Sequence, residues 1–258
     1  MENIQLTIED HIAVLQVDRP KQLNALNSAT IQELSEALDS LNADSNVRAV
    51  IITGSGEKAF VAGADIKEFA SFSIEEGRKL SEEGQHKLFD KVENMDKPVI
   101  AAVNGYALGG GLELAMSAHF RVASDNAQLG LPEVSLGVIP GYGGTQRLPR
   151  LVGMGKAIEM ICTAGMIGAE EAKSWGLVNH VTSQEELLPL AKKIASKISR
   201  QSPVAIKYAL KAVRAGYAAN AGGFKEEINS FGDCFGTDDF KEGTTAFIEK
   251  RKPAFKGN

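Results

Sequence analysis

The sequence predicts an α/β protein with a helical tail, and three observations predict it. Short apolar runs alternate with amphipathic helical patterns up to about residue 180, which implies parallel strands joined by helical crossovers. Beyond that point only helical patterns follow. The chain has 258 residues, 43% hydrophobic and 24% charged, enough for one sizeable core and ordinary for a globular protein.

Ile12 to Val17 alternates like a half-buried strand and is ended by Asp18-Arg19-Pro20. Ser28 is placed to cap a helix running to Leu41, with Ile31, Leu34, Leu38 and Leu41 on one face. Val47 to Thr53 is a continuous apolar run, read as a buried strand closed by Gly54-Ser55-Gly56. Phe60 to Ile66 reads as a glycine-alanine turn, and Ser73 to Met95 as one helix. Lys97 to Val103 is a further apolar strand. A helix begins in Gly109-Gly110-Gly111 and ends near His119, after which Phe120 to Ala123 returns as a strand. In the tail, Gln184 to Arg200, Pro203 to Ala219, Gly223 to Phe235 and Asp238 to Lys250 read as helices, with Pro203 well placed in a first turn. Apolar positions such as Ile194, Ile198 and Val204 need a surface to pack against, either the chain's own core or another copy.

Composition narrows the function classes. A net charge of -5 argues against a general nucleic-acid footprint. Cys162 and Cys234 lie in apolar helical patterns and read as reduced core thiols rather than a disulfide or metal site. The start, Met1-Glu2-Asn3-Ile4-Gln5, lacks the basic and apolar regions of a signal peptide, and no apolar run is long enough for a bilayer. The cytoplasm is the expected compartment. His11 and His86 read as surface residues, His119 and His180 as structural ones, and Trp175 as a packing residue. No cluster has metal-ligand spacing, no G-x-G-x-x-G or Walker lysine is present, and no serine sits in a nucleophile elbow.

The chemistry concentrates in Glu113 and Glu133, each in a glycine-rich setting. Two carboxylates on one patch do not both stay charged at low cost, so one tends to hold a proton, which suits a reaction that both gives and takes one. Two glycine-rich turns, Ala62-Gly63-Ala64-Asp65-Ile66-Lys67 and Gly109-Gly110-Gly111, add backbone amides that can approach a ligand closely. The Ala64 and Gly110 amides are the candidates for an oxyanion hole, and the intermediate they would serve is an enolate. Structural readings compete with each of these. A triple glycine is a common tight turn, Glu113 could pair with Arg147 inside the core, and Glu133 could be a surface carboxylate.

Four motifs carry a resemblance to the enoyl-CoA hydratase (crotonase) family: Val61 to Lys67, Asn104 to Glu113, Leu131 to Gly137 and Ile139 to Leu148. It extends over essentially the whole chain, from Asp18-Arg19-Pro20 to Arg251. The resemblance implies a crotonase (ClpP-like) spiral of ββα units, a catalytic core over 1–195, and a helical oligomerisation region over 196–258 that forms trimers, usually paired into hexamers. It implies an acyl-CoA substrate with no cofactor and no metal. By motif, Glu113 and Glu133 match the catalytic glutamates, and Ala64 and Gly110 the oxyanion amides. Ala62, Ala64, Asp65, Ile66, Lys67 and Gly110 match the thioester and CoA site. Lys21, Phe247 and Lys250 match CoA contacts, the last two reaching a neighbouring subunit. Retention of both glutamates implies reversible hydration of a short trans-2-enoyl-CoA such as crotonyl-CoA, in fatty-acid oxidation or a butyrate-type pathway. A Δ3,Δ2-enoyl-CoA isomerase needs only one base, and an RNA-binding homologue should show a basic helical patch where Glu75, Glu76, Glu82 and Glu83 stand here. Departures from the family pattern are Leu112 for a common cysteine, Leu131 for a common glutamine, and His119 for a common aspartate.

Overall fold

The computed structural model describes residues 1–69, 72–216 and 237–258, without the side chains of residues 67, 240, 241, 243, 244, 247 and 248. Its larger sheet has six strands: β1 (Ile4–Glu9), β2 (Ile12–Val17), β3 (Ala49–Gly54), β5 (Val99–Val103), β7 (Phe120–Ser124) and β10 (His180–Thr182), in that spatial order. Only the β1–β2 hairpin is antiparallel; the other neighbours are parallel. A smaller sheet places β4 (Ala59–Val61), β6 (Tyr106–Leu108), β8 (Gln128–Gly130) and β9 (Met166–Gly168) side by side, with β4, β6 and β8 parallel. The chain therefore lays down β3 then β4, β5 then β6, β7 then β8, adding one strand to each sheet per turn. That is the ββα spiral the resemblance implies.

β3 and β5 are buried along their whole length, as their continuous apolar runs require for parallel strands covered on both faces. Helix α1 (Ser28–Ala43) turns Ile31, Leu34, Leu38 and Leu41 into one core face. Its cap is Asn27, not Ser28: the Asn27 side chain accepts from the Thr30 amide, and Ser28 is already helical. The single helix expected over Ser73 to Met95 is broken in register. Ser73 and Glu76 form a capping box for α2 (Ile74–Gly84), a π turn occupies Gln85–Phe89, and α3 (Asp90–Glu93) follows. The glycine-alanine turn is shorter than expected, because Ala59–Val61 is already strand.

Helix α4 (Gly110–Ser117) is buried at every residue. Helices α5 (Gly144–Val152), α6 (Met154–Thr163) and α7 (Ala169–Ser174) follow. Cys162 on α6 is exposed rather than in the core, and Cys234 lies outside the described residues. Trp175 is 46% exposed, with Lys156 Nζ 5.4 Å from its ring centre, so it packs only in part.

Helix α8 (Leu187–Ile198) lays Leu187, Ala191 and Ala195 on the outer face of the large sheet, with Ile194 and Ile198 packed partly against it. The 195/196 boundary thus falls inside α8. Helix α9 (Pro203–Ala215) has no buried residue despite carrying Val204, Ile206, Leu210 and Val213. The expected helix over Gly223 to Phe235 lies outside the described residues; a helix over Asp238–Glu249 is present. No helix among the described residues is long and apolar enough to cross a membrane.

Candidate active site

Three neighbouring parallel strands end on the same edge of the small sheet. Ala64 follows β4, Gly110 follows β6 and Glu133 follows β8. All three line one cavity of about 890 Å³, together with Glu113.

Ala64 sits in a short parallel bridge to Leu26. That bridge uses the Gly63 carbonyl, which accepts from the Leu26 amide at 2.9 Å, and the Asp65 amide, which donates to the Leu26 carbonyl at 2.7 Å. The Ala64 N–H between them lies outside the ladder. The Gly110 N–H is the first of α4 and has no partner within the helix. A Cβ built on Gly110 would lie 3.8 Å from the Ala64 nitrogen, so the two amides are close neighbours. Gly109 makes the approach feasible: its φ of +50° is left-handed, and its amide is tied to the Gly130 carbonyl at 2.9 Å.

Glu113 is 1% exposed and lies in the first turn of α4. Its Oε1 accepts two backbone amides, Tyr142 at 2.8 Å and Gly144 at 2.7 Å. Burial pushes its carboxyl up to about 7, and the charge of Glu133 adds to this, against the pull of those two amides. The alternative pairing with Arg147 is not formed; Arg147 bonds Asp90, Glu93 and the Tyr142 carbonyl instead.

Glu133 begins a one-turn 3-10 helix (Glu133–Leu136) that has no buried residue. The competing reading as a surface carboxylate fails, because its Oε2 is enclosed and has no protein partner. A Cβ on Gly109 would lie 3.0 Å from Glu133 Oε1, so any side chain there would crowd the carboxylate. Burial raises its proton affinity too. Two carboxyls with raised proton affinity beside two free N–H groups can exchange protons with a bound molecule while its carbonyl oxygen gains charge.

Ala62 and Ile66 also line the cavity. Asp65 does not; it forms an ion pair with Arg19 at 3.3 Å, bracing the turn that carries Ala64. Lys21, on a 3-10 turn at Pro20–Gln22, and Lys250, which follows the helix over Asp238–Glu249, are exposed and do not line this chain's cavity. The Lys67 and Phe247 side chains lie outside the description. Asn104 proves structural: it ties the β3–β4 turn through Gly54 and Gly56. Tyr142 and Gly144, the partners of Glu113, were not anticipated from sequence. Both lie in the Ile139 to Leu148 motif, but nothing in that glycine-rich run says that its amides face Glu113.

The enoyl-CoA hydratase/isomerase family model matches residues 7–258. The short-chain-enoyl-CoA hydratase of Clostridium acetobutylicum is 51% identical over 253 residues, covering 98% of this chain and 97% of that protein. The crotonyl-CoA hydratase of Syntrophomonas wolfei is 51% identical over 255 residues, covering 98% of each. The crystal structure of enoyl-CoA hydratase from Bacillus anthracis superposes with a TM-score of 0.94 at 42% identity, covering 99% of this chain and 100% of that one.

Proposed function

The chain belongs to the enoyl-CoA hydratase/isomerase family and is an enoyl-CoA hydratase, and from that premise we propose how its residues carry the reaction. The observation that carries the reading is the convergence of two free amides and two carboxyls of raised proton affinity on one cavity. The thioester oxygen of a short trans-2-enoyl-CoA, such as crotonyl-CoA, accepts the Ala64 and Gly110 N–H groups. Charge moving from C3 toward that oxygen is stabilised there as an enolate. A water lies between the glutamates. Glu113, its Oε1 fixed by Tyr142 and Gly144, takes a proton from the water as the oxygen bonds to C3. Glu133 delivers a proton to C2, giving the 3-hydroxyacyl-CoA. The reverse sequence is dehydration. The scheme is redox-neutral and requires no cofactor or metal.

We further propose a trimer, paired or unpaired, in the cytoplasm. Helix α9 is apolar on one side yet has no buried residue, and its Val213 is 64% exposed, which supports a partner copy; the exposed thiol of Cys162 suits a reducing compartment. Lys250 and Phe247 are then CoA contacts made to a neighbour.

Crotonyl-CoA tests the activity: its conjugated thioester absorbance should fall on mixing and 3-hydroxybutyryl-CoA should accumulate. Migration of the double bond without water uptake would instead make the chain an isomerase. Light scattering at assay concentration tests assembly, where a fully active monomer contradicts the trimer.

A further inference from the structure

The two amides that grip Glu113 belong to a turn, and the turn itself has to be held. Tyr142 and Gly144 flank Gly143, whose φ of +93° only glycine adopts readily. A Cβ on Gly143 would lie 2.2 Å from Arg147 Nη1, so the turn wraps directly over the guanidinium. Nη1 donates to the Tyr142 carbonyl at 2.8 Å. Nε and Nη2 donate to Glu93 Oε2 at 2.9 and 2.5 Å, and Nη2 also to Asp90 Oδ1 at 3.1 Å. The Arg147 side chain is 7% exposed and does not line the cavity, whereas Thr145 and Gln146 do.

Tyr142 is held on its remaining side by the π turn. Its ring stacks on Phe89 with centroids 4.6 Å apart, and it presses so closely on Gly84 that a Cβ there would lie 2.3 Å from the ring. Asp90 and Glu93 follow Phe89 directly. One stretch, Gly84 to Glu93, thus secures both the ring of Tyr142 and the arginine that secures its carbonyl.

We propose that Arg147, anchored by Asp90 and Glu93, is a positioning residue that aims Glu113 by fixing the Tyr142–Gly143 peptide, which lies between the two amides that Glu113 accepts. This rests on the reading of Glu113 as the group that activates water. Planar, forked donors are needed, because three acceptors in fixed directions share one cation; a lysine supplies charge without the fork.

The test compares Arg147→Lys and Arg147→Gln with the parent enzyme on crotonyl-CoA. Both should lower kcat on the order of 10- to 100-fold, the scale of a small misplacement of a reacting group. KM should stay within about three-fold, because the amides that bind the thioester are untouched. A folded Arg147→Gln protein with parental kcat, or one changed in KM alone, overturns the proposal. Should Arg147→Gln fail to fold, the Asp90→Asn/Glu93→Gln double variant decides: lowered kcat at steady KM supports the proposal, and parental kcat overturns it. Parental turnover of crotonyl-CoA separately tests the reading itself. If the parent proves inactive, a carboxyl 13C NMR titration of Glu113 still discriminates. Arg147→Lys should move it to higher pH as the amides loosen, and an unmoved titration overturns the proposal.

Discussion

Helix α4 and the 3-10 turn at Glu133 each present one carboxyl to the same cavity, and they are built on opposite terms. Every residue of α4 is buried, and Glu113 Oε1 is fixed by two main-chain donors. Each such bond to a charged acceptor is worth about 1.5–3 kcal/mol. The Glu133 turn has no buried residue, and it runs into Leu136, Val138 and Ile139, which are 56%, 47% and 68% exposed. Glu133 Oε2 has no protein donor at all. The difference fits the division of labour proposed above. A group that must take a proton from a water at one fixed point benefits from a rigid mount. A group that must reach C2 of a substrate benefits from an oxygen left free until that substrate arrives.

The largest effect should come from removing either carboxyl. Glu113→Gln and Glu133→Gln should each lower the hydration rate by roughly 10²–10⁴-fold. Near-parental turnover in either would remove that residue from the chemistry. Stability gives a second readout for Glu113. Because burial favours protonated Glu113, the native state holds that proton more tightly than the unfolded chain, so the contribution of Glu113 to stability falls as pH rises from 4.5 through about 7. Glu113→Gln keeps an oxygen for Tyr142 and Gly144 and sheds the buried charge, so its Tm at pH 8 should be no lower than the parent's.

Next in size is Gly110→Pro, which deletes one of the two N–H groups proposed to hold the thioester oxygen and should cost roughly 10²–10³-fold in kcat. Proline is well tolerated at a first helical position, and a Cβ there would meet nothing nearer than 3.5 Å. Circular dichroism checks that α4 survives; a folded and active variant would refute the assignment. Shortening sharpens the contrast further. Glu113→Asp pulls the carboxylate off its two amides and should fall about ten-fold further than Glu133→Asp, within the usual range for misplaced acid–base groups. Equal losses would erase the distinction between mounted and free.

The pH profile tests the same mount. If ionised Glu113 is the base, kcat/KM of the parent should decline as pH falls through about 7. A profile flat from pH 5 to 8, or one that keeps the same limb in Glu113→Gln, would place the titration elsewhere. The smallest effect lies at the far end of α4. His119 Nδ1 accepts the Val99 amide at 2.9 Å, while its Nε2 is enclosed without a partner. Burial, with Arg214 and Arg121 nearby, pushes it down to about 4 from 6.5. A histidine kept neutral in the fold lends stability that is complete above pH 6.5 and is lost as pH falls through 4. His119→Asn keeps an acceptor for Val99 and should flatten the loss of Tm between pH 6.5 and 4. A parallel curve would clear His119 of that role.

Much of this was legible in advance. The continuous runs of β3 and β5 and the single apolar stripe of α1 are long enough for their periodicity to show. Glu113, Glu133, Ala64 and Gly110 stood out because glycine-rich turns beside apolar helices have few plain structural uses. The three-residue strands β4, β6, β8 and β9 did not stand out. Tyr106-Ala107-Leu108 is too short to establish any period, and only its neighbours in space make it a strand. Asn27 and Ser28 are equally good caps on paper, and the choice follows from which one leaves the helix. The π turn is invisible in sequence because Gly84 matters only through the ring of Tyr142, far along the chain. Leu112 and Leu131, departures from the family pattern, are both fully buried, so each answers to packing.

One feature of the small sheet reaches further than its size suggests. The β4–β6 ladder slips by one residue between Ala59 and Val61, so β4 carries one more residue than β6 over the same span. Ala64 and Gly110 take their separation from the main-chain hydrogen bonds behind them, in which neighbouring strands lie about 4.8 Å apart. The sheet therefore acts as a ruler, and the bulge sets its zero. Removing that one residue would draw the Ala64 amide about 3.3 Å along the strand, roughly the length of a hydrogen bond, and away from the Gly110 amide beside which it now lies. Side chains around the thioester could change freely without moving this mark, whereas a single deletion in an apolar strand that touches no substrate would erase it.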